Sequence, residues 1–213
     1  MATLWDKLTK KKKPEVVVEN TIYNPFGVRI NDSVKINTID LEKENFVFNA
    51  IRQVNRSING VNHSFADYDL GPQREQPLRI RLVPMENPDS KLTHDALLLS
   101  KIGECVYNKE FHEGLSFEAN EGVFEEGETK YWRVNDLQKP WLAKTVTLQD
   151  LDHSGKVDLN EATKGALTYW DFWRETEGEG EDKIVEFYIV EMDQDGYFTF
   201  WVGQQIDPLR IVI

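Results

Sequence analysis

The chain has 213 residues, of which 40% are hydrophobic, 11% aromatic and 29% charged. This composition is typical of a globular protein and excludes a chain that is disordered throughout. The 37 acidic residues outnumber the 25 basic ones and give a net charge of -12, which disfavours binding to nucleic acid or anionic lipid. Cys105 is the only cysteine, so an internal disulfide is excluded.

The first residues are typical of a tail rather than of a folded element. A run of four lysines precedes Pro14, and we expect residues 1–14 to form a basic flexible tail before one globular β-rich unit over residues 15–213. A sub-boundary near residues 86–92 is the alternative, because residues 86–90 are the most linker-like stretch. Neither an apolar run of membrane-spanning length nor a signal-peptide pattern is present, so we expect a cytoplasmic protein without a membrane span.

Short runs rich in β-branched and aromatic residues predict a mainly β fold of the α+β type, built from antiparallel sheets. Several of these runs alternate polar and apolar residues, which indicates strands with one buried face. The predicted strands before the C-terminal third are residues 15–19, 33–37, 45–49, 78–83 and 130–134.

The C-terminal part predicts a β-meander. Its strand-like segments, residues 168–175, 184–191, 197–202 and 209–213, are separated by turn-forming residues. Only a few short helices are expected, over residues 93–100 and in a piece beginning near Asp158.

Aromatic residues crowd the first of these C-terminal strands. Strand alternation places Trp170 and Phe172 on the face opposite to Tyr169 and Trp173, so both faces must be covered. We expect core packing to cover them rather than a ligand groove.

One motif is specific. Residues 150–161, Asp-Leu-Asp-His-Ser-Gly-Lys-Val-Asp-Leu-Asn-Glu, fit a twelve-residue calcium loop, with oxygen-bearing side chains at positions 1, 3, 5, 9 and 12 and glycine at position 6. Calcium prefers such hard oxygen ligands, and position 7 supplies a backbone carbonyl. The predicted Ca²⁺ ligands are Asp150, Asp152, Ser154, Lys156, Asp158 and Glu161. Val157, at position 8, is expected to be buried.

This loop resembles that of EF-hand proteins, and its run from Asp152 to Asp158 is similar to the loops of dockerin-type calcium modules of bacteria. The resemblance covers about twelve residues and implies the ligand roles given above. Two departures concern the flanks: Pro140 and the β-branched residues 145–147 disfavour an incoming helix, and Gly165 limits the outgoing one to about two turns. The pattern therefore favours a structural calcium clip over a sensor that opens a helix pair.

A second acidic segment matches the motif only at its start. Glu191, Asp193 and Asp195 precede Gly196 with the required spacing, but Val202 stands where the closing glutamate is needed. A hairpin turn is the preferred interpretation, and binding of a second ion is left open.

Signatures of nucleophilic catalysis or phosphate binding are absent from the sequence. The sequence therefore favours a non-enzymatic calcium-binding protein with a protein-interaction role, and assigns no catalytic residue. Whether the partner is another protein or a homo-oligomer is left open. The alternative is an enzyme or a carbohydrate- or peptide-binding module in which the calcium loop is only a support. A groove that combines Trp170 or Trp201 with convergent carboxylates would favour this alternative.

Overall fold

A computed structural model describes residues 22–38, 40–58, 61–72, 75–85, 94–121, 123–126, 129–134, 140–152, 154, 156–158, 161–177 and 183–213. The predicted tail, the predicted strand over residues 15–19 and the linker-like stretch near residues 86–92 lie outside these ranges.

The described residues confirm the mainly β fold class, because they form twelve strands and one α-helix. The strands are β1 (Ser33–Ile36), β2 (Phe46–Ile58), β3 (Val61–Gly71), β4 (Leu78–Pro84), β5 (His94–Val106), β6 (Val123–Glu126), β7 (Thr129–Arg133), β8 (Trp141–Gln149), β9 (Thr163–Glu177), β10 (Lys183–Asp193), β11 (Tyr197–Ile206) and β12 (Ile211–Val212). The helix is α1 (Lys109–Glu121), and a 3-10 turn spans Pro208–Arg210. Within the described ranges, no helix has the length and apolar character that crossing a bilayer requires.

Eight of the described strands close into an antiparallel barrel. Its order is β2-β3-β4-β5-β11-β10-β9-β8, and β8 also pairs with β2. The closing strand β8 is therefore hydrogen-bonded on both sides, with Thr145 opposite Val54 of β2 and opposite Gly165 of β9. A barrel of eight strands encloses a space that side chains or one small ligand can fill.

Side chains that point out of the barrel are covered by two separate layers. Residues 22–38 and 40–45, which include β1, cover the outer face of β2 to β4 together with β12, and Phe48, Tyr68 and Ile80 are buried there. Helix α1 and β7 cover the outer face of β9 to β11. This second layer buries Leu115, Tyr131, Trp170, Phe172, Tyr188, Val190 and Phe198.

The expected division of aromatic residues on β9 is confirmed. Tyr169 points inward, where it packs with Val54, Phe65 and Trp141, whereas Trp170 packs under α1 with Phe172 and Phe198. Tyr169, Trp170 and Phe172 are thus all buried within the protein.

One predicted helix is wrong and a second is tested only in part. Residues 94–100 are not helical but belong to β5, because Leu97 and Leu99 pack inside the barrel while Ala96 packs outside. An apolar run that is buried on both faces carries no period that separates strand from helix. Of the short helical piece expected near Asp158, the described residues show a 3-10 turn at Glu161, whose N–H donates to the carbonyl oxygen of Asp158, and β9 follows from Thr163.

The meander is confirmed for β9, β10 and β11, which are consecutive antiparallel neighbours. Residues 209–213 do not extend it. They form the end of the 3-10 turn and β12, which pairs with β1 through Val212 opposite Lys35.

The close approach of β11 to β5 gives a test of this barrel. A Cβ atom on Gly203 would stand 1.9 Å from the carbonyl oxygen of Leu98, so the backbone would have to move. We expect Gly203→Ala to lower the free energy of unfolding by about 1–3 kcal/mol, measured by urea denaturation.

The matched control is Gly114→Ala in α1, where an added Cβ meets nothing within 4 Å. Because alanine favours helix, this variant should gain about 0.5–1 kcal/mol. A Gly203→Ala protein as stable as the wild type would contradict the close packing of β11 on β5.

Candidate functional site

The predicted calcium loop joins β8, the strand that closes the barrel, to β9. It begins just after Gln149, which pairs with Ala50 of β2. We call this end of the barrel the lower end, and the opposite end, where β4 leads into β5, the upper end. The loop therefore lies at the seam where the barrel closes.

The first half of the loop forms a compact turn. The backbone N–H of Ser154 donates to Oδ1 of Asp150 at 3.1 Å and to Oδ1 of Asp152 at 2.9 Å. The N–H of Lys156 then donates to the Ser154 hydroxyl oxygen at 3.1 Å. Hydrogen bonds from Ser154 lower the pKa of Asp152 below its usual value. The residues at positions 1, 3 and 5 are thus brought together.

Two contacts tie this loop to the outer layer that covers β2 to β4. Val157 is half-buried and packs against the hydrophobic cluster of that layer, which agrees in part with the burial expected at position 8. Nδ2 of Asn31 donates to Oδ2 of Asp150 at 3.3 Å. The loop is therefore anchored at its start and at its middle.

The second half of the loop is more open. Asp158 and Glu161 are exposed, and the N–H of Glu161 donates to the carbonyl oxygen of Asp158 at 2.9 Å. Among the residues that the structure describes, no three carboxylate, histidine or cysteine side chains converge on one point. The candidate ligand atoms of this loop are oxygens of the type that calcium prefers. The structure brings Asp150, Asp152 and Ser154 together but does not bring Glu161 to them.

The flanks of the loop are strands on both sides. The strand β8 confirms that no incoming helix precedes Asp150. Of the short outgoing helix that the EF-hand resemblance implies, the described residues show only the 3-10 turn at Glu161, because β9 begins at Thr163 and Gly165 lies in it opposite Thr145.

The second acidic segment is a hairpin turn between β10 and β11, as its sequence indicates. Oδ1 of Asp193 accepts hydrogen bonds from the N–H groups of Asp195 and Tyr197, each at 2.9 Å, and Gly196 has a φ of 83°. Glu191 lies apart from this turn, inside the barrel, where three arginines occupy its carboxylate. The Glu191 carboxylate is therefore paired with arginines and does not form part of the turn.

The interior of the barrel holds an ion network that sequence reasoning missed. Glu191 on β10 accepts hydrogen bonds from Arg52 at 2.9 Å, from Arg79 at 3.0 Å and from Arg81 at 2.7 Å. Asp67 on β3 binds Arg52 at 2.6 Å and Arg81 at 2.7 Å. Because two other strands separate β10 from β2 and from β4 around the barrel, these bonds cross its interior. We call Arg52, Asp67, Arg79, Arg81 and Glu191 the central network.

The two carboxylates of the central network are almost fully buried. The side chain of Asp67 is 0% exposed and that of Glu191 is 5% exposed. Burial alone would raise the pKa of Glu191, but the charges of Arg52, Arg79 and Arg81 outweigh burial and hold it well below its ordinary value. The same balance lowers the pKa of Asp67. Both carboxylates are therefore charged at neutral pH.

A signal for this network exists in the sequence. Asp67 and Asp69 lie two residues apart on β3, and Arg79 and Arg81 lie two residues apart on β4. The two strands pair Asp67 with Arg81 and Asp69 with Arg79. Complementary charges with period two on adjacent strands indicate directly facing ion pairs. The alternation alone would place them on a solvated face, but in β4 both faces are buried.

The central network lies between two recesses in the barrel. At the lower end, a pocket of about 360 Å³ is lined by Trp201, Asp69 and Glu191 among others. At the upper end, a cavity of about 170 Å³ is lined mainly by apolar side chains. The lower pocket thus combines Trp201 with carboxylates, which is the arrangement that would favour the ligand-binding alternative. Arg79, however, stacks on the Trp201 ring at 3.8 Å and also binds Glu191, so these groups already contact the protein itself.

Comparisons with protein-family models, with curated protein sequences and with solved structures found no match for this chain.

Removal of one charge from the central network should be costly. We expect Glu191→Gln to lower the free energy of unfolding at neutral pH by about 3–5 kcal/mol, because the arginines lose their buried counter-charge. The control is Glu175→Gln, whose partner Lys183 is 72% exposed, and its expected cost is below about 1 kcal/mol. Equal stabilities of the two variants in urea titrations would contradict the burial of the network.

The lowered pKa values also predict a pH dependence. Glu191 and Asp67 bind protons less readily in the folded state than in the unfolded state. Their contribution to stability is complete above about pH 5 and is lost as the pH falls through the ordinary carboxyl range toward the lowered folded pKa values. Wild-type protein should therefore lose more stability than Glu191→Gln between about pH 6 and pH 3. Parallel stability profiles of the two proteins in this range would overturn the assignment.

Proposed function

We propose that this chain is a non-enzymatic calcium-binding protein in which residues 150–161 act as a structural clip at the closing seam of the barrel. The observation that carries the proposal is the convergence of the Asp150 and Asp152 carboxylates on the amide of Ser154. In this proposal the ion is held by Asp150, Asp152, Ser154, Asp158 and Glu161 and by the carbonyl oxygen of Lys156.

A cation would relieve the repulsion between carboxylates in this loop. Asp150 and Asp152 share one N–H donor, so their negative charges lie close together. Calcium carries two positive charges and accepts additional oxygen ligands, which the exposed Asp158 and Glu161 carry. Binding would thereby fix the second half of the loop to the first.

The surroundings of the loop support a clip rather than a sensor. A sensor converts calcium binding into the opening of a helix pair, whereas this loop joins two paired strands, β8 and β9. Asn31 and Val157 connect it to the layer that covers β2 to β4. Ordering the loop would therefore strengthen the closure of the barrel and the attachment of this layer together.

The proposal includes a protein-interaction role. Val106, Tyr107 and Tyr197 are 65%, 50% and 53% exposed, and Tyr197 pairs directly with Val106. Neighbouring exposed apolar side chains of this size support contact with another protein or a second copy of the chain. The cytoplasmic location stays a prediction.

The calcium clip is tested by thermal unfolding of wild type and Glu161→Gln, each in chelator and in about 1 mM calcium. Binding to the folded state alone adds about 2.7 kcal/mol at a hundredfold excess over the Kd, which raises the Tm of a chain of this size by several degrees. We expect this shift in the wild type and its loss in the variant.

The control is Glu42→Gln, which removes one exposed carboxylate outside the loop and should keep the wild-type shift. Calorimetric titration with calcium measures binding separately from stability. A wild type without heat of binding and without a Tm shift would refute the site, and so would an unchanged affinity in Glu161→Gln.

A further inference from the structure

The upper cavity has the size and the lining of a small-molecule site. Its volume is about 170 Å³, close to that of an engineered cavity of about 150 Å³ that binds a single benzene ring. Its apolar walls are formed by Phe65, Val83, Leu97, Tyr169, Phe187 and Ile189. A molecule with one six-membered ring matches this space, and the aromatic walls favour a flat ring.

One polar side chain in the lining has a donor without a partner in the described part of the chain, and a second carries a carboxylate, which can accept further hydrogen bonds. Arg56 donates from Nη1 to the Tyr169 hydroxyl at 3.0 Å, but its buried Nε has no acceptor among the described residues. Asp171 accepts at Oδ1 from the indole N–H of Trp141 at 2.6 Å, while its Oδ2 is 4.0 Å from Nη1 of Arg56. A separation of 4.0 Å is too long for a hydrogen bond. The cavity thus offers one donor and one acceptor.

The charges of these two groups select the substituent on the ring. A carboxylate would accept from Arg56 but would place a negative charge beside Asp171. An amidinium group would pair with Asp171 but would face Arg56 and Arg81, which also lines the cavity. A neutral carboxamide both accepts and donates, so it can satisfy both groups without an unpaired buried charge.

The central network prevents a larger ligand from passing through the barrel. Arg81 forms part of the cavity floor and is bound to Asp67 and Glu191. Asp95 and Gln205, which also line the cavity, are hydrogen-bonded to each other at 3.0 Å across β5 and β11. The space is therefore limited to one ring and its substituent.

We infer that the upper cavity is a binding site for a neutral molecule that consists of one aromatic ring and a carboxamide, held between Arg56 and Asp171. The burial that raises the pKa of Asp171 is consistent with a site that disfavours further negative charge. This inference is independent of the calcium loop, which lies at the opposite end of the barrel.

The test uses the full chain in chelator and three matched probes, benzamide, benzoate and benzamidine, in calorimetric titrations. We expect benzamide to bind with a Kd below about 1 mM and each charged analogue at least about tenfold more weakly. Undetectable binding of benzamide overturns the inference, and equal binding of the three probes overturns the ligand class.

Two variants locate the site. Val83→Phe adds a ring at the half-buried rim of the cavity and should abolish benzamide binding while a cooperative thermal transition persists. Asp171→Asn keeps an acceptor for Trp141 but removes the charge, so the preference for benzamide over benzoate should fall by at least about tenfold.

The control for the second variant is Asp195→Asn in the exposed β10–β11 turn, which should leave the preference unchanged. The preference is the ratio of the affinities of one protein for benzamide and for benzoate. A smaller folded fraction lowers both apparent affinities by the same factor, so it does not alter this ratio. An Asp171→Asn protein that keeps the wild-type preference overturns the placement of the ligand, and so does benzamide binding that survives Val83→Phe.

Discussion

The structure depends on charge neutralisation inside the barrel. Glu191 reaches from β10 across the interior to arginines on β2 and β4, and Asp67 binds two of the same arginines. Removing these charges from water is costly, so they are tolerated only because every carboxylate oxygen faces a guanidinium group. This requirement fixes the strands relative to one another, since a register shift of one residue would turn the charges toward the apolar outer layers.

The remaining features follow from this arrangement. Because the network fills the middle of the barrel, the strand faces that point outward carry most of the apolar packing, and two layers cover them. The network also leaves two separate recesses, one at each end. The calcium loop lies outside the barrel wall, at the junction between the closing strand and the layer that Val157 contacts. The proposed clip and the proposed ligand cavity therefore serve different parts of the molecule.

Local sequence patterns predicted much of the strand content and little of its arrangement. Segments such as residues 33–37 and 78–83 were recognisable by their β-branched residues and alternation, and they form β1 and β4. The burial of both faces of β4 was not predictable, because Arg79 and Arg81 become buried only when β10 supplies Glu191 from a distant part of the chain. Helix α1 escaped notice because its apolar pattern is weak and Leu115 is buried through tertiary contacts.

The candidate sites also differ in how far the sequence predicted them. The turn around Asp150, Asp152 and Ser154 is made by hydrogen bonds between close neighbours in sequence, so spacing alone predicted it. The approach of Glu161 depends on the path of the whole loop, which spacing does not determine. The upper cavity combines Arg56 with Asp171 from strands far apart in the chain, so local sequence holds no signal for it.

The most direct test of the central network is a ¹³C NMR titration of the Glu191 side-chain carboxyl carbon, assigned by comparison with Glu191→Gln. We expect this resonance to keep the chemical shift of a charged carboxylate from neutral pH down to about pH 3, as long as the protein stays folded. A resonance that titrates with the ordinary pKa of an exposed glutamate would contradict the buried network and the interior arrangement built around it.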